Sequence, residues 1–142
     1  MLKFRKSTPK AYFEYKAKGY NKERSSGILG KMVSKEKIRI LSTLDPSHKE
    51  NILDIGCGAG YYSIIIKEKG ATPFGIDISP KMIEELKKNN IEGCVADVEN
   101  LQLNKKFDKV FCSGALDFTK SPKAAMKCMS KHTKKGGTFV MY

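Results

Sequence analysis

A chain of 142 residues suits one domain, and its 40% hydrophobic and 30% charged residues are the balance of a folded, water-facing protein. No apolar run approaches the roughly 18 residues that cross a bilayer, and the basic start lacks the apolar stretch of a secretory signal, so a cytoplasmic protein is expected. Lysine and arginine number 27 against 15 acids, a net charge of +12. That field attracts polyanions, yet lysine dominates over arginine, the better phosphate fork, so nucleic acid is not the favoured partner.

Residues 1–32 read as a polar, basic arm, broken by Pro9, Gly19, Gly27 and Gly30, with one short helix over 11–18. Residues 33–142 read as the core. It opens with an amphipathic helix over 33–44, where Ile38, Leu41 and Leu44 recur at helical spacing, and Asp45-Pro46 ends it. From there strands and helices alternate. Strands are expected over 51–55, 72–78, 93–96, 106–113 and 138–142. Helices are expected over 61–69, 80–90 and 121–132. The first of these contains Ile64, Ile65 and Ile66, whose branching favours strand by propensity alone. The other two each open with a capping serine followed by proline, Ser79-Pro80 and Ser121-Pro122. Lys135-Gly136-Gly137 reads as a turn. Such alternation predicts right-handed crossovers and a doubly wound α/β fold, with a mostly parallel sheet between two helix layers. Ligands of these sheets lie at the carboxyl ends of the strands, where the strand order reverses.

Four cysteines, 57, 94, 112 and 128, show no C-x-x-C spacing, and His48 and His132 are the only histidines. A metal site is not expected, and reduced, largely buried thiols are.

The strongest site signal is Ile52-Leu53-Asp54-Ile55-Gly56-Cys57-Gly58-Ala59-Gly60, between a strand and a helix. The dinucleotide fingerprint G-x-G-x-x-G fails here, because its last position falls on Tyr61 or Ser63. There is no G-K-[ST], so this is not a P-loop. The pattern that remains is D-x-G-x-G-x-G. An acid directly before the loop repels pyrophosphate and suits a ligand carrying an ammonium group. Asp77 ends the second strand about 20 residues later, where a carboxylate accepts ribose hydroxyls. Its alternative role, capping the next helix, falls to Ser79. Asp97 ends the third strand and suits either an adenine amine or an Asx turn.

Together these segments resemble the class I S-adenosylmethionine-dependent methyltransferases, in the small-molecule branch often called type 11. The likeness runs from about residue 51 to 142. It includes the glycine loop, Gly75-Ile76-Asp77-Ile78-Ser79, Ala96-Asp97-Val98, the fourth strand with Ser113-Gly114, and Lys135-Gly136-Gly137 with the fifth strand. The resemblance implies S-adenosylmethionine as cofactor and S-adenosylhomocysteine as product. It implies that backbone at Gly56, Cys57, Gly58 and Gly60 holds the methionine moiety, with Asp54 near its amino group. Asp77 takes the ribose, Ile78 packs on the adenine, and Asp97 and Val98 meet the adenine edge. Ser113 and Gly114 line the floor near the methyl. Tyr20 of the arm either covers the cofactor or packs ordinarily.

No catalytic residue is assigned, since methyl transfer to a reactive nucleophile needs alignment above all. Asp117 serves as a base or as a solvated loop acid, the latter being favoured. After the fourth strand the chain carries Ser113-Gly114-Ala115-Leu116, not the N/D-P-P-Y of base N-methylation. It also lacks the Pro-Cys of cytosine C5 enzymes and the paired glutamates of arginine methylation. The expected acceptor is a small molecule or cofactor precursor. The alternatives are a non-catalytic or partner-dependent subunit and an RNA methyltransferase. The family's sheet normally continues past the fifth strand, whereas this sequence stops at Tyr142. An exposed edge at 138–142 is therefore expected, open to a second copy or a partner chain.

Overall fold

The computed structural model describes residues 8–142; the arm's Lys3, Arg5 and Lys6 lie outside the described residues. β1 (Asn51–Ile55) forms the centre of a five-stranded parallel sheet of order β3-β2-β1-β4-β5. Its neighbours are β2 (Thr72–Asp77) and β4 (Phe107–Cys112); β3 (Glu92–Val95) and β5 (Thr133–Met141) are the edges. The chain winds outward from β1 to β3, then returns to the other side of β1 as β4. The reversal point therefore lies between β1 and β4, as a doubly wound sheet requires.

β1 is buried on both faces because each face is covered. Leu53 and Ile55 join Phe107, Val110, Ala125 and Met129 beneath α6 (Pro122–His132). Ile52 packs with Phe111 and Val140 beneath α3 (Gly27–Leu44) and α4 (Tyr61–Glu68). α5 (Pro80–Lys87) covers the same side as α4, inserting Ile83 and Leu86 beside Cys57. The three isoleucines of α4 are helical after all. Ile66 is fully buried, and its tertiary packing outweighs the strand preference of branched side chains. Ser79 and Ser121 cap α5 and α6, accepting from the Met82 and Ala124 amides at 3.3 and 3.2 Å.

Three elements differ from expectation. α3 starts at Gly27 and so runs through residue 32, where the arm was expected to give way to the core. The arm holds two helices, α1 (Pro9–Lys16) and α2 (Tyr20–Arg24), instead of one. The expected turn at 135–137 is absorbed into β5 as an irregularity: Phe107 pairs Thr133 and Lys109 pairs Thr138, so six residues of β5 face three of β4. No described helix is long and apolar enough to cross a membrane.

Candidate functional site

The carboxyl ends of β1, β2 and β4 open into a cavity of about 680 Å³, within the range of small-ligand sites. Its floor comes from the core: Ile55, Gly56, Gly58, Asp77, Ile78, Val98, Ser113 and Gly114 line it. Its roof comes from the arm, chiefly Tyr12, Phe13, Tyr20 and Arg24.

The glycine loop is shaped by close approach. A Cβ on Gly56 would stand 2.3 Å from that of Ala115, and one on Gly58 would stand 3.1 Å from the Tyr20 ring. Gly60 caps α4 against Leu86, whose Cδ1 leaves no room for a side chain there. Three of the loop's amides are spent internally. Cys57 donates to the Ile76 carbonyl at 3.0 Å, Gly58 to Asp77 Oδ2 at 2.9 Å and Gly60 to the Cys57 carbonyl at 3.0 Å. Asp77 thus ties the first loop to the second. Its other oxygen accepts from the Ser79 amide at 2.9 Å. The Ile78 amide bonds the same carboxylate, and its four lone pairs still exceed these three backbone donors, which leaves acceptor capacity for a ligand. Burial pushes the Asp77 carboxyl above its ordinary value, against the hydrogen bonds it accepts.

Of the residues singled out from sequence, Tyr20, Gly56, Gly58, Asp77, Ile78, Asp97, Val98 and Ser113 line one cavity. Asp54, Cys57 and Gly60 lie outside its lining, and all three are buried. Asp97 sits at the rim and makes the Asx turn, accepting from the Glu99 amide at 2.9 Å. Asp117 is exposed. Among the described residues no three His, Cys, Asp or Glu side chains gather as metal ligands.

Asp54 is 2% exposed and accepts from Ser63 Oγ at 2.6 Å. Burial pushes its carboxyl up from 3.8 to about 7, with Ser63 opposing and Asp77 adding to the rise. Because the folded value exceeds the unfolded one, folded protein holds a proton between pH ~4 and ~7 that the unfolded chain has lost. Stability contributed by this group is therefore full below that window, falls as pH rises through it, and levels off above about 7. The ideal slope is ~1.4 kcal/mol per pH unit; relaxation and water entry leave a loss on the order of 2 kcal/mol. Urea denaturation is expected to give a stability slope of that sign between pH 5 and pH 8, and Asp54→Asn should flatten it.

Sequence reasoning missed several arm contributions. Phe13 meets Phe118, from the turn after β4, with ring centroids 5.3 Å apart at 88°. Ala17, Phe13 and Tyr20 pack on Ala59 and Met82. Asn21 Nδ2 donates to the Ala59 carbonyl at 2.9 Å. Arg24 lies 5.4–5.7 Å from the rings of Tyr20, Tyr61 and Tyr62 and 3.7 Å from Glu36. Its Nε is buried with no hydrogen-bond partner among the described residues. The aromatic run Tyr12, Phe13, Tyr15 and Tyr20 was the available signal that the arm docks.

A methyltransferase domain profile matches residues 53–141. Among curated relatives, the malonyl-[acyl-carrier protein] O-methyltransferase of Hamiltonella defensa is 30% identical over 105 residues, which cover 72% of this chain and 41% of the relative. The ubiquinone biosynthesis O-methyltransferase of Idiomarina loihiensis is 32% identical over 97 residues, covering 62% of this chain and 40% of the relative. The chain thus spans about 40% of the length of these two relatives. Among solved structures, the N-methyltransferase NodS of Bradyrhizobium japonicum in complex with S-adenosylhomocysteine superposes with a TM-score of 0.78 at 18% identity, over 95% of this chain and 72% of that one. A complex of the Haloferax volcanii Trm112 methyltransferase activator with a methyltransferase gives 0.76 at 22%, over 89% of this chain and 57% of that one. Sheet order, loop pattern and the matched profile agree: the chain belongs to the class I S-adenosylmethionine-dependent methyltransferase family.

Proposed function

We propose that this chain is the cofactor-binding core of an enzyme that moves a methyl group from S-adenosylmethionine to a small-molecule or cofactor-precursor acceptor. One observation carries the reading: bare glycine backbone and the recessed Asp77 carboxylate face one cavity at the sheet's reversal point. The residues fit the cofactor. The cavity has ligand size, the Asp77 carboxylate keeps acceptor capacity for a ribose, and Arg24 lines the cavity with a buried Nε–H that has no partner among the described residues, where it would meet the methionine part. Tyr20, Gly56, Gly58, Asp77, Ile78, Asp97, Val98 and Ser113 would hold the cofactor directly. Asp54, Cys57 and Gly60 would act from outside the lining, Asp54 by giving up its proton and ionising when an ammonium group sits near it. Arg24 would take the carboxylate.

When bound, the cofactor's sulfonium supplies an activated methyl group. The chain's own part is to align the acceptor, in a cavity that the arm lines from one side. The O-methyltransferases of small or carrier-linked acceptors among the relatives favour this acceptor class over RNA. Methyl transfer should be read as S-adenosylhomocysteine released over a broad acceptor panel. Turnover on RNA alone would replace this reading with the RNA methyltransferase one.

A partner-dependent subunit is the second reading, favoured by the outer edge of β5. Phe139, Met141 and Tyr142 are each 39–51% exposed there, beside a row of unpaired backbone groups. The Haloferax neighbour was solved with an activator. Light scattering at about 10–100 µM is expected to give a dimer or larger species that Phe139→Lys, at a half-exposed position of the same strand, disperses. A monomer at every concentration would remove self-pairing and leave the partner chain.

A further inference from the structure

We infer that Glu36, which lies outside the cavity, is a positioning residue that aims Arg24 at the carboxylate of the bound cofactor and so makes cofactor affinity depend on a docked arm. The inference rests on the cofactor reading above. One oxygen, Glu36 Oε1, gathers three donors from three elements. Tyr62 Oη of α4 and Ser113 Oγ beyond β4 each donate to it at 2.9 Å, and Arg24 Nη2 of α2 stands 3.7 Å away. Two hydrogen bonds fill that oxygen's lone pairs, so the third approach is ionic. Tyr62 is buried, and Glu36 and Arg24 are partly buried, with 29% and 21% of their side chains exposed. The pair is therefore screened less than a surface ion pair.

The node fixes where Arg24 points. Arg24 Nη1 donates to Tyr20 Oη at 3.2 Å, and Tyr20 covers Gly58. Ser113, held by the same Glu36 oxygen, lines the cavity with Arg24. The guanidinium is thus pinned between the glycine loop and the end of β4, the end expected to hold the amino-acid part of the cofactor. Its Nε finds no partner among the described residues, as a group awaiting an anion should. Without Glu36 nothing in the described residues ties α2 to β4 by charge.

Two ligands separate positioning from mere support of the fold. S-adenosylhomocysteine carries the amino-acid carboxylate, whereas 5′-methylthioadenosine has the same nucleoside thioether without it. Calorimetry should show Glu36→Gln weakening S-adenosylhomocysteine at least tenfold and methylthioadenosine less than twofold. Arg24→Gln should give the same selective loss. The double variant should lose no more than the larger single loss, because both act through one contact. Glu36→Asp keeps the charge and withdraws it by one methylene. It should show a ligand-selective loss of at least threefold, and it serves should Glu36→Gln not fold. Equal losses for both ligands, no loss for either, or equal wild-type affinities would overturn the positioning role and leave the cofactor reading standing. Wild-type chain that binds neither ligand would overturn both.

Discussion

Asp77→Ala is expected to weaken S-adenosylhomocysteine binding at least tenfold, about 1.4 kcal/mol or more. Two losses add. The ribose loses its acceptor, and the amides of Gly58 and Ser79 lose the carboxylate that both of them bond at 2.9 Å. Hydrogen bonds to a charged group contribute ~1.5–3 kcal/mol each, and loosening of the glycine loop compounds the deficit. The proposed role puts the carboxylate on the nucleoside half, so adenosine and methylthioadenosine should lose affinity alongside S-adenosylhomocysteine. That pattern is opposite to the one expected at Glu36. An unchanged Kd in a folded Asp77→Ala protein would remove the ribose assignment.

Gly56→Val should lower stability by about 2–5 kcal/mol, read as a fall in the urea midpoint. The backbone there has φ of +68°, where a branched residue is strained by ~1–2 kcal/mol. The added Cβ would also fall 2.3 Å from that of Ala115, and overpacking a fitted site costs a further ~1–3 kcal/mol. Gly114→Val is the matched control. It has a similar φ of +73° but nothing within 4 Å of the added Cβ, so only the backbone cost of ~1–2 kcal/mol applies. Equal losses at the two positions would mean that the loop's close approach to Ala115 contributes nothing.

The core of the fold was legible because its signals are local. Strand runs, capping serines followed by proline, and a glycine loop with its preceding acid each act within a few residues of chain. The arm was legible only as a polar segment, because what orders it lies far along the sequence. Asn21 bonds residue 59, and Phe13 meets residue 118. Arg24 read as one more surface charge, since its cage of Tyr20, Tyr61, Tyr62 and Glu36 comes together only in three dimensions. The same limit explains the acids. Asp54 and Asp77 both read as ligand groups, one for an ammonium and one for a ribose, yet the pleat buries Asp54 beneath the loop and leaves Asp77 lining the cavity. Asp97 shows that one spacing serves two purposes, for it caps a 3-10 turn while standing at the rim.

In the proposed reading the glycine loop and Asp77 together form a nucleoside-thioether site, and titration of the intact chain with S-adenosylhomocysteine in a calorimeter tests that most directly. A saturable isotherm near one ligand per chain, with Kd in the micromolar range, is the expected result. Folded protein giving neither heat nor amide shifts at residues 56–60 and 77, with ligand at about 1 mM, would contradict it.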